Sequence, residues 1–191
     1  MSTLKTVNLK HESSGSNNIV LDSSGNTTVS GNLIVSGTNG FFQSYAIICD
    51  QKSAGTGGGT STANSWSTRD LNTEIADPDG IVSIASNRFT LAAGSYLIKW
   101  NAPFFYCQRA ITRLYDHTNT AVRQLGQSNS TFGSSSGQIN LFGAARVTPS
   151  GSTAYEIQYY VDNADSDGLG HDNPDDEGVS MFTVVEIYKE S

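Results

Sequence analysis

The chain of 191 residues has room for one or two domains and carries a formal net charge of −7. It is rich in Ser, Thr, Gly and Asn (26, 18, 19 and 15 residues) and has only five Lys, a composition that excludes helical bundles and coiled coils. No apolar run approaches the roughly 18 residues of a membrane-spanning helix, and the arginines are scattered, so neither membrane insertion nor nucleic-acid binding is expected. The composition therefore predicts an all-β protein with long polar loops.

Residues 1–40 differ from the rest of the chain. Within them Ser-Gly-Asn or Ser-Gly-Thr recurs every six residues, at 24–26, 30–32 and 36–38. The short apolar strands between these turns are each too short to bury their own apolar face. We predict an ordered β-stranded stem whose apolar face is covered by two further copies around a threefold axis. A flexible Ser/Gly linker is the alternative.

From residue 41 onward, alternating strand signals are dense and no amphipathic helix is predicted. Gly, Asn, Ser and Pro turns separate the predicted strands, which lie at 44–50, 66–72, 81–85, 88–91, 95–100, 104–116, 121–127, 138–147, 154–162 and 179–189. The last strand is apolar on both faces over part of its length, which favours a central position in a sheet. About 150 residues of this kind predict one β-sandwich or jelly roll.

Two sequence patterns carry a resemblance to known families. The run Asn-Arg-Phe-Thr-Leu-Ala-Ala-Gly-Ser-Tyr-Leu-Ile at 87–98 resembles the core motif of C1q-like and TNF-like domains. A longer pattern resembles the C-terminal heads of bacteriophage and prophage structural proteins, often labelled tail fibre. It comprises Trp-Ser-Thr-Arg-Asp-Leu-Asn-Thr at 66–73, Arg-Leu-Tyr at 113–115 and Val-Val-Glu-Ile-Tyr-Lys at 184–189. The hexapeptide repeats are similar to the shaft repeats that precede such heads.

The resemblance implies a TNF/C1q-like jelly-roll head at 41–191 on a short β-stranded stem at 1–40, assembled as a homotrimer without enzymatic activity. Phage fibres usually carry a larger N-terminal attachment domain and a longer shaft than 40 residues. The chain therefore fits a short fibre tip, or a small trimer seated directly on a virion surface.

An acid-rich loop at 162–177 is the one candidate metal site. Its Asp-Ser-Asp-Gly run resembles the opening of a calcium loop, but Pro174 stands where an EF-hand has its bidentate Glu. No cofactor is expected unless calcium binds here in another geometry, as the resemblance allows, since some C1q-like heads bind calcium near the trimer apex. The alternative is a solvated acidic loop that keeps the head soluble. The candidate calcium ligands are Asp165, Asp167, Asp172 and Asp175.

Nothing in the sequence predicts catalysis. Gly-Ser-Ser-Ser-Gly at 133–137 matches the nucleophile-elbow pattern, but it lies in a low-complexity loop with no helix after it. The glycines at 55–59 lack the Lys-Ser/Thr of a phosphate loop. Cys49 and Cys107 lie in apolar runs and are expected to be buried and reduced, although a bridge between them is left open. We expect that the protein is not an enzyme.

The aromatic residues lie mostly on predicted strands. With a period of two, Phe104 and Tyr106 are expected on one face and Phe105 on the other. One face fills the core, and the other lines a trimer interface or, alternatively, stacks on carbohydrate. The residues assigned to the core or the trimer interface are Tyr96, Phe104, Tyr106, Tyr159, Phe182 and Tyr188.

Two functions are open at this point. The first is a non-enzymatic phage virion surface protein that projects at the tail, with loops 126–137 and 162–177 contacting a host glycan or protein. The second is a capsid decoration (cement) protein whose N-terminal arm clamps the shell through Leu4, Val7 and Leu9. In both, residues 1–40 contact other virion proteins.

The expected location is the same for both functions. No signal-peptide-like segment is found at the N-terminus. This predicts assembly in the host cytoplasm and a final location on the virion surface, and disfavours a third hypothesis, a bacterial cell-surface or spore-coat trimer.

Overall fold

The computed structural model describes residues 8–9, 12–16, 18–29, 42–131, 137–172 and 178–190. The chain divides into two compact units, Met1–Gly40 and Phe41–Ser191, here called the stem and the head. All regular secondary structure in the described residues is β-strand, which confirms the all-β prediction. Among those residues no helix is long and apolar enough to cross a membrane.

The stem contains a three-stranded antiparallel meander of β1 (Asn8–Leu9), β2 (Ile19–Leu21) and β3 (Thr27–Val29). The first Ser-Gly-Asn repeat forms the turn between β2 and β3. There the Asp22 carboxylate accepts hydrogen bonds from the backbone N–H groups of Ser24 (2.9 Å) and Asn26 (2.8 Å), and Gly25 adopts a φ of +85°. The other two repeats lie outside the described residues. None of the described stem residues is buried, so this sheet has no core of its own.

The head is a sandwich of two antiparallel sheets. Its strands are β4 (Ser44–Ser53), β5 (Ser67–Thr68), β6 (Thr73–Ala76), β7 (Val82–Ala85), β8 (Arg88–Leu91), β9 (Tyr96–Phe105), β10 (Arg109–Asp116), β11 (Ala121–Ser130), β12 (Gln138–Val147), β13 (Thr153–Val161) and β14 (Val179–Lys189). Sheet I has the order β12-β9-β14-β4-β6, and sheet II has the order β11-β10-β13-β8-β7, with β5 pairing with β13. Successive strands change sheets at β9 to β10 and at β11 to β12, which is jelly-roll connectivity.

The core lies between the two sheets, and the 87–98 run contributes directly to it. Ser86 and Asn87 adopt left-handed φ values of 52° and 62°, which make the tight turn from β7 to β8. Phe89 and Tyr96 then point inward and are almost fully buried. The strand predicted as central, β14, lies between β9 and β4 in sheet I.

The predicted strand 104–116 is wrong in one respect, because the structure breaks it at a turn. Strand β9 ends at Phe105, and β10 begins at Arg109. Tyr106 and Gln108 adopt positive φ values of 50° and 58°. The Thr131 backbone N–H donates to Gln108 O (2.6 Å), and Thr131 Oγ1 accepts from the Gln108 N–H (3.1 Å). Tyr106 therefore does not share a strand face with Phe104, and the local sequence gives no sign of this because the turn is held by a residue 23 positions away.

Candidate self-association surface

The face of sheet I that points away from the core carries many apolar side chains. Strand register aligns three rows across this face: Phe142, Asn101 and Val184; Ala144, Lys99, Glu186 and Ile47; Arg146, Leu97, Tyr188 and Tyr45. Phe142 is 50% exposed and Tyr45 is 44% exposed. Apolar side chains that recur in all three rows of one sheet face, two of them half-exposed aromatics, mark an interaction surface rather than scattered surface apolar residues.

A groove of about 720 Å³ lies on this face at the β12 edge, where β11 meets it. Beneath it, on the core side of β9, lies the buried Trp100 indole, whose Nε1–H donates to Thr112 Oγ1 of sheet II at 2.9 Å. A Cβ at Gly143 would lie only 1.9 Å from the Trp100 ring, and one at Gly126 would lie 2.3 Å from Thr112 Oγ1. The two glycines therefore leave space for the ring, and apolar side chains form the walls: Leu125, Phe142, Ala144 and Val184.

The polar side chains of the groove differ in whether they have hydrogen-bond partners. Glu186 accepts hydrogen bonds from the Tyr188 hydroxyl (2.9 Å) and from Lys99 Nζ (3.1 Å), and these bonds hold the pKa of Glu186 below its ordinary value. Asn101 Oδ1, in contrast, is buried and accepts no hydrogen bond from any described residue. A buried carbonyl without a donor costs about 1–3 kcal/mol.

The six aromatic residues assigned to the core or interface fall in three places. Four of them, Tyr96, Phe104, Tyr159 and Phe182, are buried inside the head. Tyr106 lies half-buried in the β9–β10 turn, and Tyr188 lies half-buried on the outward face of sheet I. Phe142, by contrast, is not among the residues predicted from the sequence. The available signal was that β12 carries a large apolar residue at two consecutive positions, Leu141 and Phe142, so that both faces of the strand have one.

The described part of the acid-rich loop is a compact turn packed on the glycine-rich loop. Asp165 Oδ1 accepts the Asp167 N–H at 2.9 Å, and the Asp172 carboxylate lies 2.9 Å from His171 Nδ1. A Cβ at Gly57 would come within 2.4 Å of Asp167 Oδ1, so the loops meet where there is no side chain. Among the described residues no three His, Cys, Asp or Glu side chains converge on a possible metal position. Asp175 lies outside the described residues, and the calcium site stays a prediction.

Arg69, in the 66–73 run, is fully buried and joins three parts of the head. Its Nε donates to Thr183 Oγ1 (2.7 Å), its Nη1 to Pro103 O (3.1 Å) and its Nη2 to Leu169 O (2.8 Å). The guanidinium also lies 4.9 Å from the centre of the Phe104 ring. Burial lowers the pKa of Arg69 to about 10, although nearby Asp50 opposes this effect. This residue is therefore structural.

The residues that follow Arg69 form a second polar cluster, near the surface. Asp70 accepts hydrogen bonds from Lys52 Nζ (2.8 Å) and Asn87 Nδ2 (2.9 Å). Asn72 Nδ2 donates to the buried Asp50 carboxylate at 3.1 Å. Asp70 and Asn72 of the 66–73 run thus connect β4 to the β7–β8 turn, and these contacts are structural.

The comparisons with known proteins identify the fold. No protein-family model and no curated protein matches the chain. Among solved structures, Eiger TNF from S. frugiperda is 10% identical with a TM-score of 0.53, covering 77% of this chain and 92% of that one. Murine APRIL is 8% identical with a TM-score of 0.50, covering 76% and 98%. The head has a TNF/C1q-like jelly-roll fold. The globular domain of zebrafish complement 1qA also matches, at 14% identity and a TM-score of 0.47, covering 76% and 95%.

The residues assigned to N-terminal anchoring belong to the stem. Leu4 and Val7 are outside the described residues. Leu9 lies in β1 and is 46% exposed, and Leu21 in β2 is 41% exposed. Two half-exposed leucines in a sheet with no buried residue are available for contact with another surface.

Proposed function

We propose that the chain is a non-enzymatic, homotrimeric surface head that self-associates through the outward face of sheet I. The observation that carries this proposal is the groove at the β12 edge of this face, whose wall includes the half-exposed Phe142. Covering the exposed half of one Phe side chain, about 100 Å², contributes about 2.5 kcal/mol per protomer. A second copy can supply this apolar cover.

The position of the groove supports a closed ring rather than a two-fold dimer. The groove lies at the β12 edge of sheet I, whereas the half-exposed Tyr45 lies on β4, three strands away from β12 across the sheet. A contact that pairs one part of the face with another is heterologous, and repeating it closes a ring. The number three is taken from the resemblance of the sequence to TNF/C1q-like heads. Threefold assembly would also cover the stem sheet, which has no core of its own.

The proposed setting is a bacteriophage virion, where the head contacts a host-surface glycan or protein. This setting is supported by the resemblance of the runs at 66–73, 113–115 and 184–189 to phage structural heads. The second candidate, a capsid decoration protein, is favoured by the exposed Leu9 and Leu21 of the stem, which suit a clamp on another protein surface.

Light scattering on two matched variants tests self-association. The wild-type chain should have three times the mass of one chain at micromolar concentration. Phe142→Glu should yield monomers because it places a charge in the groove beside Glu186. Val122→Glu is the control: Val122 is 46% exposed but does not line the groove, so this variant should remain trimeric. A monomeric wild type, or equal behaviour of the two variants, would contradict the proposal.

Quantitative mass spectrometry of purified virions tests the setting. A copy number matching the tail proteins supports a fibre or receptor-binding tip, and a number comparable with the major capsid protein supports decoration. If the protein is missing from the particle, both virion roles are wrong, although self-association could still hold.

A further inference from the structure

The outward face of sheet II carries a second cavity, of about 670 Å³, at the ends of β10, β11 and β13. Strand register places Tyr160 beside Ile111 and Ile111 beside Ser128. Trp66 lies beyond Tyr160 in the same row, because the next residue, Ser67, pairs with Tyr159. The Trp66 and Tyr160 rings are 5.8 Å apart, centre to centre. The result is a row of apolar and aromatic side chains that ends at a hydroxyl.

Polar side chains flank this row on both sides. On one side, Arg109 Nε donates to the Asp162 carboxylate, and Arg109 is 80% exposed. On the other side, Arg113 Nε donates to Gln158 Oε1 at 2.7 Å. The Arg113 guanidinium lies 3.8 Å from the centre of the Trp66 ring. The indole is therefore held in place before any ligand arrives, which lowers the entropy cost of binding.

Several side chains of this surface have exposed area or hydrogen-bonding groups with which a ligand can interact. Trp66 is 36% exposed although it is one of the largest apolar side chains in the protein. The Tyr160 hydroxyl is 3.5 Å from Asn64 Oδ1, longer than an ordinary O–H···O bond. Arg109 uses one of its N–H groups on Asp162 and presents the others to solvent.

We propose that this surface, the row of Trp66, Tyr160, Ile111 and Ser128 with the flanking pair Arg109 and Asp162, binds an oligosaccharide. A pyranose ring has an apolar C–H face that packs on aromatic and aliphatic side chains, and a rim of hydroxyls that each donate and accept. The row spans three inter-strand steps, about 14 Å, which accommodates a short oligosaccharide. The flanking guanidinium donates hydrogen bonds to the sugar hydroxyls, and the flanking carboxylate accepts hydrogen bonds from them.

The charge of the surface favours this ligand class over others. Arg109 and Asp162 neutralise one another, and the chain as a whole has a net charge of −7, which opposes nucleic acid. A protein partner would need a larger continuous apolar centre than the polar rows on either side allow. The inference rests on the proposed host-facing role for its purpose, but the binding itself can be measured on the isolated trimer.

A glycan array followed by calorimetry tests the inference on the full chain. Labelled protein is applied to printed bacterial surface oligosaccharides, covering neutral, uronic-acid and amino-sugar types, and the strongest ligand is then titrated. Trp66→Ala should weaken its affinity at least tenfold, because the stacking platform is lost. Asp162→Asn, which keeps the side-chain size, should also weaken affinity about tenfold. Val122→Ala, on the same sheet but outside the cavity, should stay within twofold of wild type.

Two results would overturn the inference. One is that wild-type protein, shown to be folded by its cooperative thermal unfolding and trimeric by light scattering, binds no oligosaccharide on the array. The other is that a ligand is found but Trp66→Ala and Asp162→Asn bind it as tightly as wild type does, which would place it elsewhere. In either case the mass measured by light scattering still tests self-association separately, so failure of the glycan site and failure of the proposed trimer are distinguishable.

Discussion

Replacing Arg69 with Leu should be among the most damaging substitutions in the head. Leu fills much of the aliphatic space of Arg but supplies no donors. Three buried acceptors then lose their hydrogen bonds at once: Thr183 Oγ1, Pro103 O and Leu169 O. They lie on β14, on β9 and in the acid-rich loop, so the loss loosens the contact between that loop and sheet I.

The magnitude follows from the number of groups left unsatisfied. Each buried acceptor without a donor costs about 1–3 kcal/mol, so the three together cost several kcal/mol. Removing a buried guanidinium offsets part of this cost, because burial lowers the pKa of Arg69 to about 10 and thus opposes its charged form. We expect a net loss of about 3–5 kcal/mol of unfolding free energy, or about 10 °C in melting temperature for a chain of this size.

Urea unfolding at a fixed protein concentration measures this loss, and repeating it at a tenfold dilution separates folding from association. Arg109→Leu is the matched control, because Arg109 lies on sheet II, away from the proposed interface. Arg109 makes an ion pair with Asp162 but is 80% exposed, and exposed ion pairs contribute about 0–1 kcal/mol. If Arg69→Leu unfolds within 1 kcal/mol of Arg109→Leu, the three hydrogen bonds do not stabilise the head, and the structural role assigned to Arg69 is wrong.

Two further predictions concern single side chains. Burial alone would raise the pKa of Asp116, but the hydrogen bonds from Asn119 and Arg123 outweigh it and hold the pKa below the ordinary 3.8. The unfolded chain therefore binds more protons than the folded chain near pH 4, and the stabilisation, complete above that pH, is lost as pH falls through the lowered pKa. When the unfolding free energy from urea titrations is plotted against pH between 6 and 3, it should fall less steeply for Asp116→Asn than for wild type. Gly143→Ala should lower the unfolding free energy by about 1–3 kcal/mol, because the new Cβ would meet the Trp100 ring at 1.9 Å. Gly151→Ala, with nothing within 4 Å of its Cβ, is the control, and equal melting temperatures for the two variants would refute the packing argument.

The sequence allowed the all-β fold to be predicted because period-two alternation and turn residues are local signals. The 87–98 run is predictable for the same reason, since the turn at Ser86 and Asn87 and the inward Phe89 are near neighbours in the chain. The break at 106–108 was missed because Thr131, far along the chain, holds it.

The candidate surfaces depend on pairings that no local pattern encodes. Phe142 and Asn101 are 41 positions apart, and only the register of β12 against β9 makes them neighbours. In the same way Trp66 reaches Tyr160 and Arg113 only after β5 has paired with β13. The aromatic residues that the sequence did single out are mostly core residues, because large apolar side chains on strands are more often needed between the sheets than outside them.

The two surfaces complement each other because they lie on opposite sides of one sandwich. Sheet I and sheet II pack through their inner faces, so their outward faces point in opposite directions. If the outward face of sheet I is buried around a threefold axis, the Trp66 surface of sheet II points away from that axis on every protomer. One such surface gives modest affinity by itself, but three of them on one particle would bind a repetitive surface with much higher avidity. The apolar face of sheet I then does more than stabilise the trimer, since it also provides the multivalency on which weak oligosaccharide binding depends.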